Sequence, residues 1–192
     1  MTMDFHATLM RHAINPNDCT VLALAGVLSA AFEEAGVRIL PICGLNADET
    51  RWLLARWFPG ADGALSLPQG ALAVTTPQRG SRYDEVEDLI TLFKAHADPR
   101  AGTTSEVHCI SHALACACVR DKHLWQDLRL RSRHELSALL GYWFPRLAEK
   151  NVHGMKWKKF LHKQLCEREA LSICKAPYCG DCADFVDCFG PE

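Results

Sequence analysis

The segment Ser132-Arg-His-Glu-Leu-Ser-Ala-Leu-Leu-Gly-Tyr-Trp143 gives the clearest indication of the fold. Ser132 and Glu135 have the spacing of a capping box, a pattern that begins an α-helix by binding backbone amides of its first turn. Apolar residues then recur at helical intervals, which predicts a helix that buries one side. Pro145 predicts a kink or a break, because proline lacks an amide hydrogen and clashes with the preceding turn. The buried side is expected to carry Leu136, Leu139, Leu140, Trp143 and Leu147.

Helix signals of the same kind occur along most of the chain. Asn17 or Asp18 can cap a segment that Gly36 ends, and this segment is apolar on nearly all sides, as in a buried core helix. Thr103 and Glu106 form a further capping-box pattern. We therefore predict an all-α fold, a helical single domain with an irregular C-terminal cysteine-rich metal-binding tail. The other helices are expected at about 46–57, 83–97, 103–119 and 154–170.

The loosest part of the sequence is residues 59–82, which are rich in glycine and proline and predict a long loop. A short strand at Leu72–Thr75 is the alternative within it. The loop divides the chain into an N-terminal helical part, residues 1–82, and a core helical region, residues 83–192, which includes the cysteine cluster at 166–188. The length of 192 residues fits one domain with a true hydrophobic core.

Composition and motifs argue against several functional classes. The formal net charge is -2, with charges of both signs well mixed, which argues against nucleic acid as the main partner. No apolar run approaches the roughly eighteen residues that a membrane span needs. We find no P-loop, dinucleotide-binding glycine pattern or nucleophile elbow, so we do not expect an enzyme. The first residues lack the features of a secretory signal, which favours a cytoplasmic location.

The strongest chemical signal is Cys174-Lys-Ala-Pro-Tyr-Cys179-Gly-Asp-Cys182-Ala-Asp-Phe-Val-Asp-Cys188, with four cysteines in fifteen residues. Disulfides would need an oxidising compartment. Zinc sites usually draw thiolates from two close pairs a dozen or more residues apart, and only Cys179 and Cys182 form such a pair. An iron–sulfur cluster fits better, because thiolates in short-spaced runs commonly hold one. The spacing favours a cluster, with zinc and free thiols as alternatives, and Cys166 is a candidate additional ligand.

A second candidate metal site lies on the helix expected at 103–119. His108, His112 and Cys116 follow one another at intervals of four, which places them on one side of that helix. Imidazole and thiolate are ligands that several transition metals accept. The alternative is that the cysteine packs in the core and the histidines form local hydrogen bonds. A His-x-x-x-His pair without a ligand from a following helix is a weak signal.

Much of the surface of the helix expected at 154–170 is basic. On composition alone, its lysines form a solvated face. They can also raise the local concentration of an anion or bind an acidic partner protein. The candidate anion or partner surface consists of Lys156, Lys158, Lys159 and Lys163.

Several sequence blocks form a combined pattern with the cysteine run. Met155-Lys-Trp-Lys-Lys-Phe160 precedes Cys166 and the run, and Phe189-Gly-Pro-Glu192 follows it. His123-Leu-Trp-Gln-Asp-Leu128 lies upstream. Together these blocks resemble the NifQ family, the molybdenum-donating proteins of nitrogenase iron–molybdenum cofactor assembly. The resemblance is clear over about residues 85–192 and loose before them.

The resemblance implies an iron–sulfur protein that carries molybdenum. The cysteines of the run would ligate a 3Fe-4S or 4Fe-4S cluster, which receives molybdenum from molybdate or a molybdenum–sulfur species and passes it on. The implied partners are the nitrogenase iron protein and the cofactor scaffold complex. The alternatives are a zinc-stabilised helical interaction module and a ferredoxin-like electron carrier. Arg129 departs from the family pattern, since the resemblance leads us to expect a glycine there.

Overall fold

The structure, a computed structural model, describes residues 3–68, 81–168 and 185–191, without the side chains of residues 81–83. Over these ranges the chain is mostly helical and has no β-strand, which confirms the all-α prediction for the described part. No helix within them is both long and apolar enough to cross a membrane. Most of the predicted irregular tail lies outside the described residues. The helices are α1 (Phe5–Arg11), α2 (Cys19–Ala35), α3 (Ala47–Trp57), α4 (Ala61–Ala64), α5 (Ser81–Ala95), α6 (Thr104–Cys118), α7 (Leu124–Asp127), α8 (Arg133–Trp143), α9 (Pro145–Ala148), α10 (Trp157–Arg168) and α11 (Phe185–Phe189).

Several helices begin where the capping signals of the sequence predict. Asp18 accepts hydrogen bonds from the Thr20 and Val21 amides at 2.8 and 3.2 Å and so begins α2. Gly36 ends this helix with a φ of 78°, a conformation that favours glycine. The capping box predicted at the start of α6 is present, and α3 also begins with a capping box, formed by Asn46 and Glu49. Local sequence therefore sets these helix boundaries.

The ends of α8 follow the same logic, with one difference at its start. Ser132 caps the helix by accepting a hydrogen bond from the Glu135 amide at 3.3 Å. The Glu135 carboxylate binds the Arg131 amide at 2.8 Å, one residue before the position that a capping box requires. At the far end α8 stops at Trp143 and α9 begins with Pro145, so the predicted break is confirmed.

Helix α2 is buried along most of its length and packs against α1, α6 and α8. The Trp143 indole donates a hydrogen bond to the Thr20 hydroxyl at 2.8 Å in the interior, which joins α8 to α2. Gly26 lets α2 lie against the end of α7, because a Cβ there would lie 2.1 Å from the Leu128 carbonyl oxygen. One hydrophobic cluster contains residues from both sides of the segment 59–82, and it includes residues of both α6 and α10. These two helices carry most of the candidate site residues that the structure describes.

The described part of the segment 59–82, predicted as a long loop, contains a helical turn. Helix α4 lies within it, and Ala61 and Leu65 are buried. These two residues are four positions apart, so a single turn can bury both side chains. Helix α5 begins at Ser81, inside the end of the predicted loop. The alternative strand at Leu72–Thr75 lies outside the described residues.

Candidate functional site

The structure describes one of the four positions of the C-terminal cysteine run. Cys188 lies on α11 and is half-buried against the core, whereas Cys174, Cys179 and Cys182 lie outside the described residues. The Cys188 carbonyl accepts a hydrogen bond from the Lys156 amide at 2.8 Å. The Lys156 ammonium group donates another to the backbone carbonyl of position 186 at 3.3 Å. These bonds attach the end of the cysteine run to the start of α10.

Cys166, the candidate additional ligand, lies on α10 itself and is half-buried. It follows Lys156 by ten positions, which corresponds to about 15 Å along a helix axis. The backbone of Cys188 is bonded at the start of α10, so the two cysteines lie at different levels of this helix. The role of Cys166 as a ligand stays a prediction.

A cleft of about 420 Å³ lies between the segment 121–126 and the first turn of α10. We call it the basic cleft. Lys122 and Lys159 are exposed there and form no ion pair within the part of the chain that the structure describes. Lys156 lines the same cleft and is also bonded to α11, so the cleft adjoins the described end of the cysteine run. The charged residues that line it are Asp121, Lys122, Lys156, Lys158, Lys159 and Asp187.

Lys158 differs from the other lysines of the basic cleft because its charge is paired inside the fold. Its ammonium group donates hydrogen bonds to the Asp127 carboxylate at 2.6 Å and to the Arg120 carbonyl at 2.7 Å. The side chains of Lys158 and Asp127 are only 17% and 5% exposed. Lys163 pairs with Glu167 at 3.7 Å and lines a different cleft. Of the predicted anion surface, Lys163 therefore lies apart from the other three lysines.

The predicted second metal site on α6 contains two histidines whose rings are in contact at an angle of 46°. The rings of His108 and His112 have centroids 4.3 Å apart. The Lys94 ammonium group donates a hydrogen bond to His108 Nδ1 at 2.9 Å. Glu49 Oε1 lies 3.1 Å from His108 Nε2. Burial, and then the charge of Lys94, lower the pKa of His108, which favours the neutral ring at pH 7.

His112 is held by the loop that joins α2 to α3. Its Nδ1 lies 3.0 Å from the Cys43 carbonyl oxygen, and because a carbonyl can only accept, this nitrogen carries the proton. Burial lowers the pKa of His112, so the ring is neutral. In the described ranges, no group of three or more His, Cys, Asp or Glu side chains converges as a metal site would require. The metal role of His108, His112 and Cys116 stays a prediction.

Cys43 is a site residue that the sequence alone did not indicate. It lies on the loop between α2 and α3, and its thiol interacts with the Cys116 thiol on α6. Cys116 Sγ also lies 3.9 Å from the Cys43 carbonyl oxygen. The interaction between the thiols lowers the pKa of Cys43 to about 7 and raises the pKa of Cys116 well above its ordinary value. Because 73 positions separate the two cysteines, no local spacing could have predicted the pair.

The other two cysteines of α6 are structural. Cys109 and Cys118 are buried in the core. Burial raises the pKa of each thiol to about 12. Because the thiolate is the reactive form of cysteine, both side chains are expected to be inert at neutral pH.

Known proteins resemble this chain over most of its length. The family model NifQ matches residues 23–190. Protein NifQ of Azotobacter vinelandii is 39% identical over 163 residues, which cover 82% of each chain. Protein NifQ of Rhodobacter capsulatus is 33% identical over 174 residues, 88% of this chain and 89% of the relative. No solved structure matches. Because the family model covers most of the chain and both relatives are more than 30% identical to it, the chain belongs to the NifQ family.

Proposed function

We propose that this protein is a molybdenum carrier, which receives molybdenum and donates it for assembly of the nitrogenase iron–molybdenum cofactor. Membership of the NifQ family supports a role in nitrogen fixation and molybdenum handling. The observation that carries the finer proposal is the run of four cysteines within fifteen residues. Binding and transfer of a metal need no catalytic residues, so the protein acts as an accessory carrier and not as an enzyme.

The proposed resident cofactor is an iron–sulfur cluster of the 3Fe-4S or 4Fe-4S type, held by Cys174, Cys179, Cys182 and Cys188. The donor set fits this group, because thiolates are the ligands that such clusters take. Cys188 is half-buried on a segment that is fixed to α10, which supports a defined position for one ligand. When bound, the cluster would supply the sulfide and iron to which molybdenum attaches. Cys166 is the proposed additional ligand.

The basic cleft supports uptake of molybdenum as the molybdate dianion or as an anionic molybdenum–sulfur species. Lys122, Lys156 and Lys159 place three basic side chains at one cleft, and clustered positive charges raise the local concentration of an anion. Lys156 connects the cleft to the α11 segment, so an anion held there is close to the described end of the cysteine run. Asp121 and Asp187 at the same cleft oppose the anion, which suits transient binding.

Donation also requires contact with other proteins. The proposed partners are the nitrogenase iron protein and the cofactor scaffold complex, in the cytoplasm of a nitrogen-fixing cell. Lys163 lies on α10 outside the basic cleft, and its side chain is 40% exposed. A lysine in this position can contact an acidic partner while the cleft holds an anion.

Metal analysis of protein that is made and purified without oxygen tests this function. Iron, acid-labile sulfide and molybdenum are measured per chain, and EPR reports on the cluster. The test variant is Cys179→Ala with Cys182→Ala, and Cys19→Ala is the matched control, because Cys19 is partly exposed on α2 and outside the run. We expect about three or four irons per chain, together with sulfide and molybdenum. The double variant should lose all three, and the control should keep them.

Two results would overturn the proposal, each in favour of a different function. One zinc per chain without sulfide would indicate a zinc-stabilised helical interaction module. Iron and sulfide without molybdenum uptake would indicate an electron carrier of the ferredoxin type.

A further inference from the structure

Two cysteines that the proposed function does not use meet at the contact between a loop and α6. Cys43 belongs to the loop that joins α2 to α3, and Cys116 lies near the end of α6. The Cys116 thiol donates a hydrogen bond to the Cys43 carbonyl oxygen at 3.9 Å, and the two thiols interact with each other. The two sulfur atoms are therefore neighbours although they come from distant parts of the chain.

The backbone around Cys43 is fixed against α6, which keeps the two thiols together. Its carbonyl oxygen accepts a hydrogen bond from His112 Nδ1 at 3.0 Å and lies 3.9 Å from Cys116 Sγ. Gly44 follows with a φ of 81°, and a Cβ on it would lie 2.7 Å from the His112 ring. The loop backbone thus lies so close to the His112 ring of α6 that a side chain at position 44 would clash with it, and glycine avoids this clash.

The two thiols differ in reactivity. Interaction with the Cys116 thiol lowers the pKa of Cys43 to about 7. Cys43 and burial raise the pKa of Cys116 well above its ordinary value, so Cys116 stays protonated at neutral pH. Cys43 is also partly exposed, which leaves it open to a small oxidant. Cys109 and Cys118 on the same helix are buried thiols with a pKa of about 12.

We propose that Cys43 and Cys116 are a modification site for peroxides, which closes into a reversible disulfide between the loop and α6. The Cys43 thiolate attacks one oxygen of hydrogen peroxide; an S–O bond forms, the O–O bond breaks, and the second oxygen leaves as hydroxide, which a proton converts to water. The Cys116 sulfur then attacks Cys43, an S–S bond forms, the S–O bond breaks, and water leaves with the Cys116 proton. Two thiols lose two electrons, and the peroxide is reduced to two waters. A thiol reductant reverses the reaction.

Mass spectrometry after peroxide treatment tests the proposal. The full chain, purified without oxygen, is treated with hydrogen peroxide, alkylated with iodoacetamide and digested with trypsin. We expect a disulfide-linked pair of peptides, residues 39–51 joined to residues 101–120 through Cys43 and Cys116. The second peptide also contains Cys109 and Cys118, which are internal controls and should remain reduced. A chain with Cys174→Ala, Cys179→Ala and Cys182→Ala should form the same link, so the result is independent of the proposed cluster.

Single variants separate the roles of the two cysteines. Cys116→Ser should leave Cys43 as a sulfenic acid, which dimedone traps, whereas Cys43→Ser should leave Cys116 reduced. In the untreated chain, iodoacetamide at pH 7 should modify Cys43 about a hundredfold faster than Cys109. Recovery of both Cys43 and Cys116 as alkylated thiols after peroxide treatment of the unaltered chain would overturn the proposal. Equal alkylation rates for Cys43 and Cys109 would do the same.

Discussion

Arg129 adopts a left-handed backbone conformation, with a φ of 53°. A side chain in this conformation costs about 1 kcal/mol, because Cβ crowds the neighbouring carbonyl oxygen. The family resemblance leads us to expect a glycine at this position, and glycine would avoid the crowding. The Arg129 guanidinium forms an ion pair with Glu33 on α2, which offsets part of the cost. The chain therefore adopts the backbone conformation that favours glycine although the residue is arginine.

Replacing Arg129 by glycine and by alanine should give different stabilities. Both changes remove the ion pair with Glu33, but only Arg129→Ala keeps a Cβ in the left-handed conformation. We expect Arg129→Gly to be more stable than Arg129→Ala by about 1 kcal/mol in the free energy of unfolding, measured with urea. Equal stabilities of the two variants would show that this conformation carries no cost in the protein.

Glu106 is the charged residue whose burial and hydrogen bonding predict a pH effect. Burial by itself would raise its pKa, but hydrogen bonds from Thr103 and Arg56 outweigh this and lower the pKa below the ordinary value of 4.5. A carboxylate with a lowered pKa in the folded state stabilises the fold above the pKa of the unfolded state. This stabilisation is lost as the pH falls below about 4.5.

Glu106→Gln should lower the free energy of unfolding by about 1–3 kcal/mol at pH 7, because it removes a charged partner of Arg56 and of the Thr103 cap. The difference from the unaltered chain should shrink between pH 4.5 and pH 3, as Glu106 becomes protonated. Urea unfolding at several pH values measures both effects. The control is Glu149→Gln, a change at an exposed glutamate. It should change the free energy of unfolding by less than about 0.5 kcal/mol at each pH measured.

At the scale of elements, close backbone contact between α2 and the end of α7 explains the glycine inside α2. A Cβ at Gly26 would lie 2.1 Å from the Leu128 carbonyl oxygen, whereas a Cβ at Gly141 in α8 meets nothing within 4 Å. Gly26→Ala should therefore destabilise the protein by about 2 kcal/mol, in spite of the higher helix propensity of alanine. Gly141→Ala is the matched change and should stabilise by about 0.5–1 kcal/mol. Thermal or urea unfolding of the two variants measures this difference. If Gly26→Ala were as stable as Gly141→Ala, the close contact of Gly26 with the Leu128 carbonyl would be contradicted.

The helices could be predicted from sequence where the cause is local. Asp18 begins α2 and Pro145 ends α8 through atoms only a few positions away, so spacing alone identifies both boundaries. The pairing of Cys43 with Cys116 arises from the packing of a loop on α6, which leaves no periodic pattern. The same is true of the salt bridge between Lys158 and Asp127. The sequence therefore indicated the chemistry of the lysine and cysteine groups, but not which members are paired in the fold.

At the scale of the whole molecule, we expect one lysine of α10 to contribute to stability and the adjacent lysine to contribute to anion binding. Lys158 is paired with the buried Asp127, so Lys158→Met leaves a carboxylate without its main partner and should lower the free energy of unfolding by about 3 kcal/mol. Lys159 is exposed in the basic cleft, and Lys159→Met should change stability by less than about 0.5 kcal/mol. Urea unfolding measures this difference.

The functional effect should follow Lys159 and its neighbour Lys122. Equilibrium dialysis of the cluster-loaded chain against molybdate should show weaker binding for Lys159→Met and for Lys122→Met, and the loss should be larger at low salt than at high salt. Iron and sulfide content should not change in these variants. Unchanged molybdate binding in both lysine variants would contradict the proposed role of the basic cleft in uptake. The proposed role of the cysteine run is tested separately, by the metal analysis.

The hydrogen bond between the Lys156 amide and the Cys188 carbonyl is made entirely by main-chain atoms. This hydrogen bond therefore does not depend on which side chain stands at position 188. A change at the sulfur atom leaves the donor and the acceptor of this bond in place. Cys188→Ser therefore removes the thiol and keeps both main-chain atoms of this hydrogen bond.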